Sequence, residues 1–206
     1  MLTPLQEQVA SIVAGLAEAE GFALAGGAAL IARGEIQRET RDLDFFGLGA
    51  DDVDRLVPAV ERALQEAGLV VRAVQVSSGF ARLIIESGVD STELDLGADA
   101  RLFPAEPAHP APTLSGEELA VDKVLAVFGR AEARDFIDLA AVEARYGLDR
   151  LFTLAAEKDH GFTREMFAEM VGRFSRLRPE EFGLDPAQYE QLERRVFEWQ
   201  ERARSR

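Results

Sequence analysis

Two aspartates separated by a single leucine, Asp42 and Asp44, follow a double glycine, Gly26-Gly27, and this is where the sequence is best equipped for chemistry. On a strand, residues two apart project from the same face, so the two carboxylates would stand together while Leu43 points the other way. Adjacent carboxylates repel and raise each other's pKa unless a cation lies between them. A metal ion that grips a triphosphate removes that cost. The glycines would let backbone N–H groups approach phosphate closely, with a helix N-terminus behind them. A bare D-x-D more often means two exposed acids on a solvated edge strand. The glycine turn upstream and a third acid downstream favour the metal reading. That third acid is Asp95 in STELDLG, set between Leu94 and Leu96, and Glu93 shares its parity and competes for the role.

A second constellation lies in LAVDKVLAVFGRAEARDFIDLAAV, residues 119–142. Lys123 stands on a different strip from the apolar Leu119, Val121, Val124, Leu125 and Phe128. Asp135 and Asp138 share a helix face, and Arg134 is spaced to pair with Asp138. Surface ion pairing is the bland account of such residues. Yet only Lys123 and Lys158 among 23 cationic residues are lysines. A compact ammonium kept in an arginine-rich chain suits a phosphate. Either way, Lys123→Ala is expected to leave folding intact, because a helix accepts alanine well.

The elements that must position these groups can be read from periodicity. Apolar residues recur at helical spacing over 4–19, and FALAGG reads as a short buried strand entering the glycine turn, with AALIARG as a second helix closed at Gly34. RDLDFFGLG alternates as a strand, and 51–67 is an amphipathic helix. Three further strands are expected in LVVRAVQV, FARLIIES and STELDLG. Pro104, Pro107, Pro110 and Pro112 crowd residues 102–115, which reads as a linker or wrap. Helices are then expected over 116–129, 133–146, 148–158, 163–175 and 186–204. The expectation is an α+β module over 1–112 followed by a helical region over 113–206.

Composition narrows the function. The formal net charge is −14, most of it in residues 1–112, so non-specific nucleic-acid binding is a poor default and divalent cations are favoured instead. Residues 176–206 are charge-balanced, so any nucleic-acid contact would fall there, on Arg176, Arg178, Arg194, Arg195 or Arg202. Cysteine is absent, which removes disulfides and thiolate chemistry and fits a cytoplasmic location. No secretory signal or membrane-spanning run is visible. His109 and His160 have no zinc-ligand spacing, and neither a GxSxG nor a Walker loop occurs.

FALAGGAALIARGEIQRETRDLDFF followed by ELAVDKVLAVFGRAEARDFIDLAAV resembles the AbiEii/AbiGii nucleotidyltransferase toxins of the DNA polymerase β-like superfamily. The matching residues are Gly26-Gly27, then Arg38, Thr40, Asp42 and Asp44-Phe45, then Asp122-Lys123, and then Arg134-Asp135 with Asp138. The resemblance implies a minimal nucleotidyltransferase mixed sheet with flanking helices, and a helical C-terminal region completing the nucleotide cleft. It implies Mg²⁺- or Mn²⁺-dependent transfer of a nucleotide from an NTP to an acceptor hydroxyl, such as an RNA (tRNA) end, and a cognate antitoxin. Asp42 and Asp44 would be metal ligands, with Asp95 added from the strand pattern. Lys123 and Asp138 would line the nucleotide site, with Gly26, Gly27, Arg38 and Thr40 on its phosphate side. Alternatives are a catalytically silent nucleotide-binding protein of the same fold, or transfer to a small molecule or protein.

Overall fold

The computed structural model describes residues 1–205, which form two compact units, Met1–Ser115 and a second from Gly116 onward. In the first unit, α1 (Pro4–Ala14) opens on a capping box in which Thr3 and Gln6 satisfy each other's backbone N–H. A short strand β1 (Ala23–Ala25) runs directly into α2 (Gly26–Ala32). The double glycine is therefore the first turn of that helix, not a turn ahead of it. Next come β2 (Asp42–Gly47), α3 (Ala50–Glu66) and the hairpin-linked strands β3 (Val70–Ser77), β4 (Phe80–Ser87) and β5 (Asp90–Ala98).

The five strands form one mixed sheet in the order β1-β2-β5-β4-β3. β2 and β5 run parallel, and every other neighbouring pair is antiparallel. Leu43, Phe45, Leu83, Ile85, Leu94 and Leu96 are buried, and they join Val9 and Val13 of α1 and Val53, Leu56, Val60 and Leu64 of α3 in the core. The proline-dense segment takes up neither helix nor strand pairing over any length. It wraps back along β1: the Leu24 N–H donates to the Pro112 carbonyl at 2.8 Å, and the Leu114 N–H donates to the Leu24 carbonyl at 2.9 Å. That covers the backbone of an edge strand which would otherwise be open to foreign pairing.

The second unit is helical: α4 (Gly116–Gly129), α5 (Ala133–Tyr146), α6 (Leu148–Lys158), α7 (Arg164–Val171) and α8 (Pro186–Arg204). The helix expected over 163–175 stops at Val171 and continues as a 3₁₀ turn over Gly172–Arg176. Gly172 explains the break, because glycine is a poor helix interior residue and a tightened 3₁₀ turn is a common way to end. Phe128, Phe152, Phe162 and Phe167 form one ring cluster, and Phe136, Phe174, Phe182 and Tyr189 form another. Among the described residues no helix is long and apolar enough to cross a membrane.

Candidate active site

The site of the first unit begins with the alternation of β2. Leu43 and Phe45 are buried, while Asp42 and Asp44 sit half-buried on the opposite face. The parallel ladder sets Asp42 level with Glu93 and Asp44 level with Asp95. Level residues of paired strands share a face, so four carboxylates line one side of the sheet. Arg82, level with Asp95 on β4, meets them from the third strand. Its Nε donates to Asp95 Oδ1 at 2.8 Å and its Nη2 to Oδ2 at 2.6 Å, and Nε lies 3.1 Å from Glu93 Oε1. The hydrogen bond to Asp95, helped by the charges of Asp95, Glu93 and Asp42 and opposed by partial burial, holds the guanidinium above its ordinary pKa.

Gly26 is required beside these acids for a steric reason. Its φ is +60°, and a Cβ there would lie 2.0 Å from Asp44 Oδ2. A Cβ on Gly27 would lie 2.7 Å from Arg38 Nη2 and 3.4 Å from Thr40 Oγ1. The start of α2 thus packs against Arg38, Thr40 and Asp44 of the segment that leads into β2. The loop that delivers Asp42 is pinned from behind. Gln6 Nε2 donates to the Thr40 carbonyl at 2.9 Å, and Thr92 Oγ1 donates to the Arg41 carbonyl at 2.9 Å. Gln6 and Thr92 are both buried. Gln6, Thr92 and Arg82 stand in no motif of the sequence. The available signals were a glutamine beside the apolar stripe of α1 and an arginine inside the apolar run FARLIIES.

The donor set suits a hard divalent cation, since it consists of carboxylate oxygens with no imidazole or thiolate. Among the described residues, no three acids or histidines converge into a ready metal cage. That is compatible with Mg²⁺, which keeps several waters and is commonly held by one or two carboxylates together with substrate phosphates. Asp42 and Asp44, with room for the latter made by Gly26, fit such a role.

In the second unit, Lys123 and Asp138 meet. The Lys123 ammonium lies 2.9 Å from Asp138 Oδ2, with side chains 7% and 0% exposed. Asp122, the neighbour of Lys123, lies 2.5 Å from the ammonium of Lys158, which is also 2.7 Å from the fully buried Glu118. Both lysines of the chain therefore sit in buried ion pairs that tie α4 to α5 and to α6. Lys123 thus reaches Asp138 from α4, and Arg134 Nε donates to Glu132 at 3.0 Å. Asp135, fully buried, takes both arms of Arg130 and caps the Glu132 N–H.

The sequence profile of the nucleotidyl transferase AbiEii toxins of type IV toxin–antitoxin systems matches residues 14–205. The chain belongs to the AbiEii family. It is accordingly a nucleotidyltransferase enzyme of a toxin family. The fold agrees. MenT4, a nucleotidyltransferase toxin from Mycobacterium tuberculosis H37Rv, superposes with a TM-score of 0.70 at 16% identity, over 95% of this chain and 81% of that one. JHP933 from Helicobacter pylori superposes with a TM-score of 0.53 at 18% identity, over 98% and 92%. No curated protein sequence matches this AbiEii member.

Proposed function

We propose that this AbiEii protein transfers a nucleotide from an NTP to the hydroxyl of an RNA end, with Mg²⁺ as the divalent ion. The observation that carries the reading is the pairing of Asp42 and Asp44 on one face of β2 with Gly26 packed against the Asp44 carboxylate. Such an ion would neutralise the triphosphate and polarise the phosphorus under attack. Asp42 and Asp44 would hold it. Gly26 and Gly27, with Arg38 and Thr40 beside them, would present the phosphate side of the site. The acceptor hydroxyl oxygen forms a new bond to the α-phosphorus as its proton passes to solvent, and the bond to the departing pyrophosphate breaks in line. Lys123 and Asp138, 2.9 Å apart in the second unit, are the pair we assign to nucleotide binding there. Support for this assignment comes from the Asp122-Lys123 and Arg134-Asp135-x-x-Asp138 motifs, and from a family match that runs through both units. A cognate antitoxin is the protein partner that membership in a toxin–antitoxin family implies.

The test is incubation of the purified protein with each α-labelled NTP, total RNA and Mg²⁺. Label should enter RNA with at least one NTP, and Asp44→Asn should abolish it while remaining folded by circular dichroism. Label found only on protein or on a small-molecule acceptor would overturn the RNA assignment and leave the chemistry standing. No transfer to any acceptor, with Mg²⁺ or Mn²⁺, would overturn the metal-assisted reading.

A further inference from the structure

The acidic face of the sheet already contains a cation, and it belongs to the protein. Asp95 is the acid that strand parity offers as a third metal ligand, yet both of its oxygens are engaged by Arg82, at 2.8 and 2.6 Å. This forked geometry is the strong form of the arginine–carboxylate contact, and a lysine cannot reproduce it. The same guanidinium lies 3.1 Å from Glu93, the competing acid on β5. The Asp95 side chain is 9% exposed, so little room is left for a second partner to approach it. Asp42 and Asp44, on the neighbouring strand, stay half-buried and lie on the side of the Gly26 turn.

We propose that Arg82 is the resident counter-ion of this face, holding Asp95 and Glu93 so that the divalent ion is taken by Asp42 and Asp44 alone. Arg82 is then a positioning residue: it withdraws one acid from ligation and limits the charge offered to the ion. The inference rests on the metal-dependent reading above and refines which acids serve it. It also accounts for the missing third acid in a ready cage, because one or two carboxylates suffice when phosphates and water supply the remaining ligands.

Mn²⁺ alone, titrated against the whole protein and followed by the electron paramagnetic resonance of the free ion, tests this without turnover. Asp44→Asn should weaken Mn²⁺ binding by about tenfold or more, as loss of a direct carboxylate ligand requires. Arg82→Ala should tighten it by roughly tenfold, because Asp95 is released and a positive charge is removed. The decisive variant removes the pair together: Arg82→Gln with Asp95→Asn leaves the net charge unchanged and keeps side chains of similar shape. It should bind Mn²⁺ within about threefold of the parent protein, since the metal is held elsewhere. A loss of tenfold or more in that double variant would make Asp95 a ligand and overturn the inference, while the two-aspartate site would survive. An unchanged Mn²⁺ affinity in Arg82→Ala, with the melting temperature as the only property altered, would reduce Arg82 to a structural brace and also overturn it. Absence of Mn²⁺ binding in every variant would overturn the metal reading and the inference together. Melting curves of each variant establish that the affinities refer to folded protein.

Discussion

Lys123 shows how burial changes the meaning of a residue. As a surface cation it could be replaced by alanine at little cost, and its sequence context allowed that. In the folded unit its ammonium faces Asp138, whose side chain is wholly buried. Removing the lysine breaks a buried ion pair and takes a cation from a carboxylate held away from water, a change that typically costs about 3–5 kcal/mol. Lys123→Ala should therefore lower the melting temperature markedly before any effect on transfer is read. Lys123→Met combined with Asp138→Leu should recover most of that loss, because well-packed apolar pairs often match a buried ion pair in stability. Urea melts of the two variants check this, and equal destabilisation of both would show that the loss comes from the missing pair and not from an acid left without its cation. The pairing was only half legible in the sequence. The scarcity of lysine marks Lys123 and Lys158 as unusual, but helical spacing relates Asp138 only to residues of its own helix, such as Arg134. Local spacing reports neighbours on one helix. The buried partners here come from other helices, and only packing reveals them.

Among the elements, helices α4, α5, α6 and α8 were readable because apolar periodicity and glycine or capping signals agree at their ends. In the first unit, the shared face of Asp42 and Asp44 and their closeness in the chain to the double glycine were readable. The register of β5 against β2 was not, because pairing depends on contacts distant in sequence. Arg82 and Gln6 became visible only with that register. The helices of the second unit are also stitched by charge. Asp149 at the start of α6 pairs with Arg164 of α7 at 3.0 Å and with Arg202 of α8. The hydrogen bond to Arg202, together with that residue's charge and Arg164, holds the Asp149 carboxyl below the ordinary value of 3.8. A carboxyl depressed on folding contributes stability that is present above its unfolded pKa and is lost as pH falls through the lower folded value. Unfolding measured from pH 6 down to pH 3 should therefore show wild-type stability dropping below about pH 4. In Arg202→Gln that drop should be shallower, and the variant should differ from wild type least at the lowest pH. Because the pair is exposed, 0.5 M NaCl should shrink the difference further. A difference that grows as pH falls would contradict this assignment.

At the scale of the whole molecule, charge sets what kind of RNA contact the proposed reaction can make. The chain carries −14, and its first 112 residues account for most of the excess. Of the arginines expected to meet RNA, Arg178 pairs with Glu181, Arg194 with Glu190, Arg195 with Glu143 and Arg202 with Asp149. Each pair removes a cation from the set available to phosphates unless RNA displaces the acid. A protein that meets 6–10 phosphates loses roughly 10³- to 10⁵-fold in affinity between 50 and 200 mM salt through counterion release. A charge-balanced, ion-paired surface has far fewer counterions to release. The KM for RNA in the transfer reaction should accordingly rise by less than about tenfold over that range, consistent with one or two phosphate contacts near the reacting end. Mg²⁺ must be held constant throughout, so that the metal site is not titrated at the same time. Replacing Arg176, which is exposed, with alanine should change that KM by no more than a few-fold. A steep salt dependence would mean that RNA breaks several of these ion pairs on binding, and Arg202→Gln and Arg195→Gln would then weaken binding in proportion.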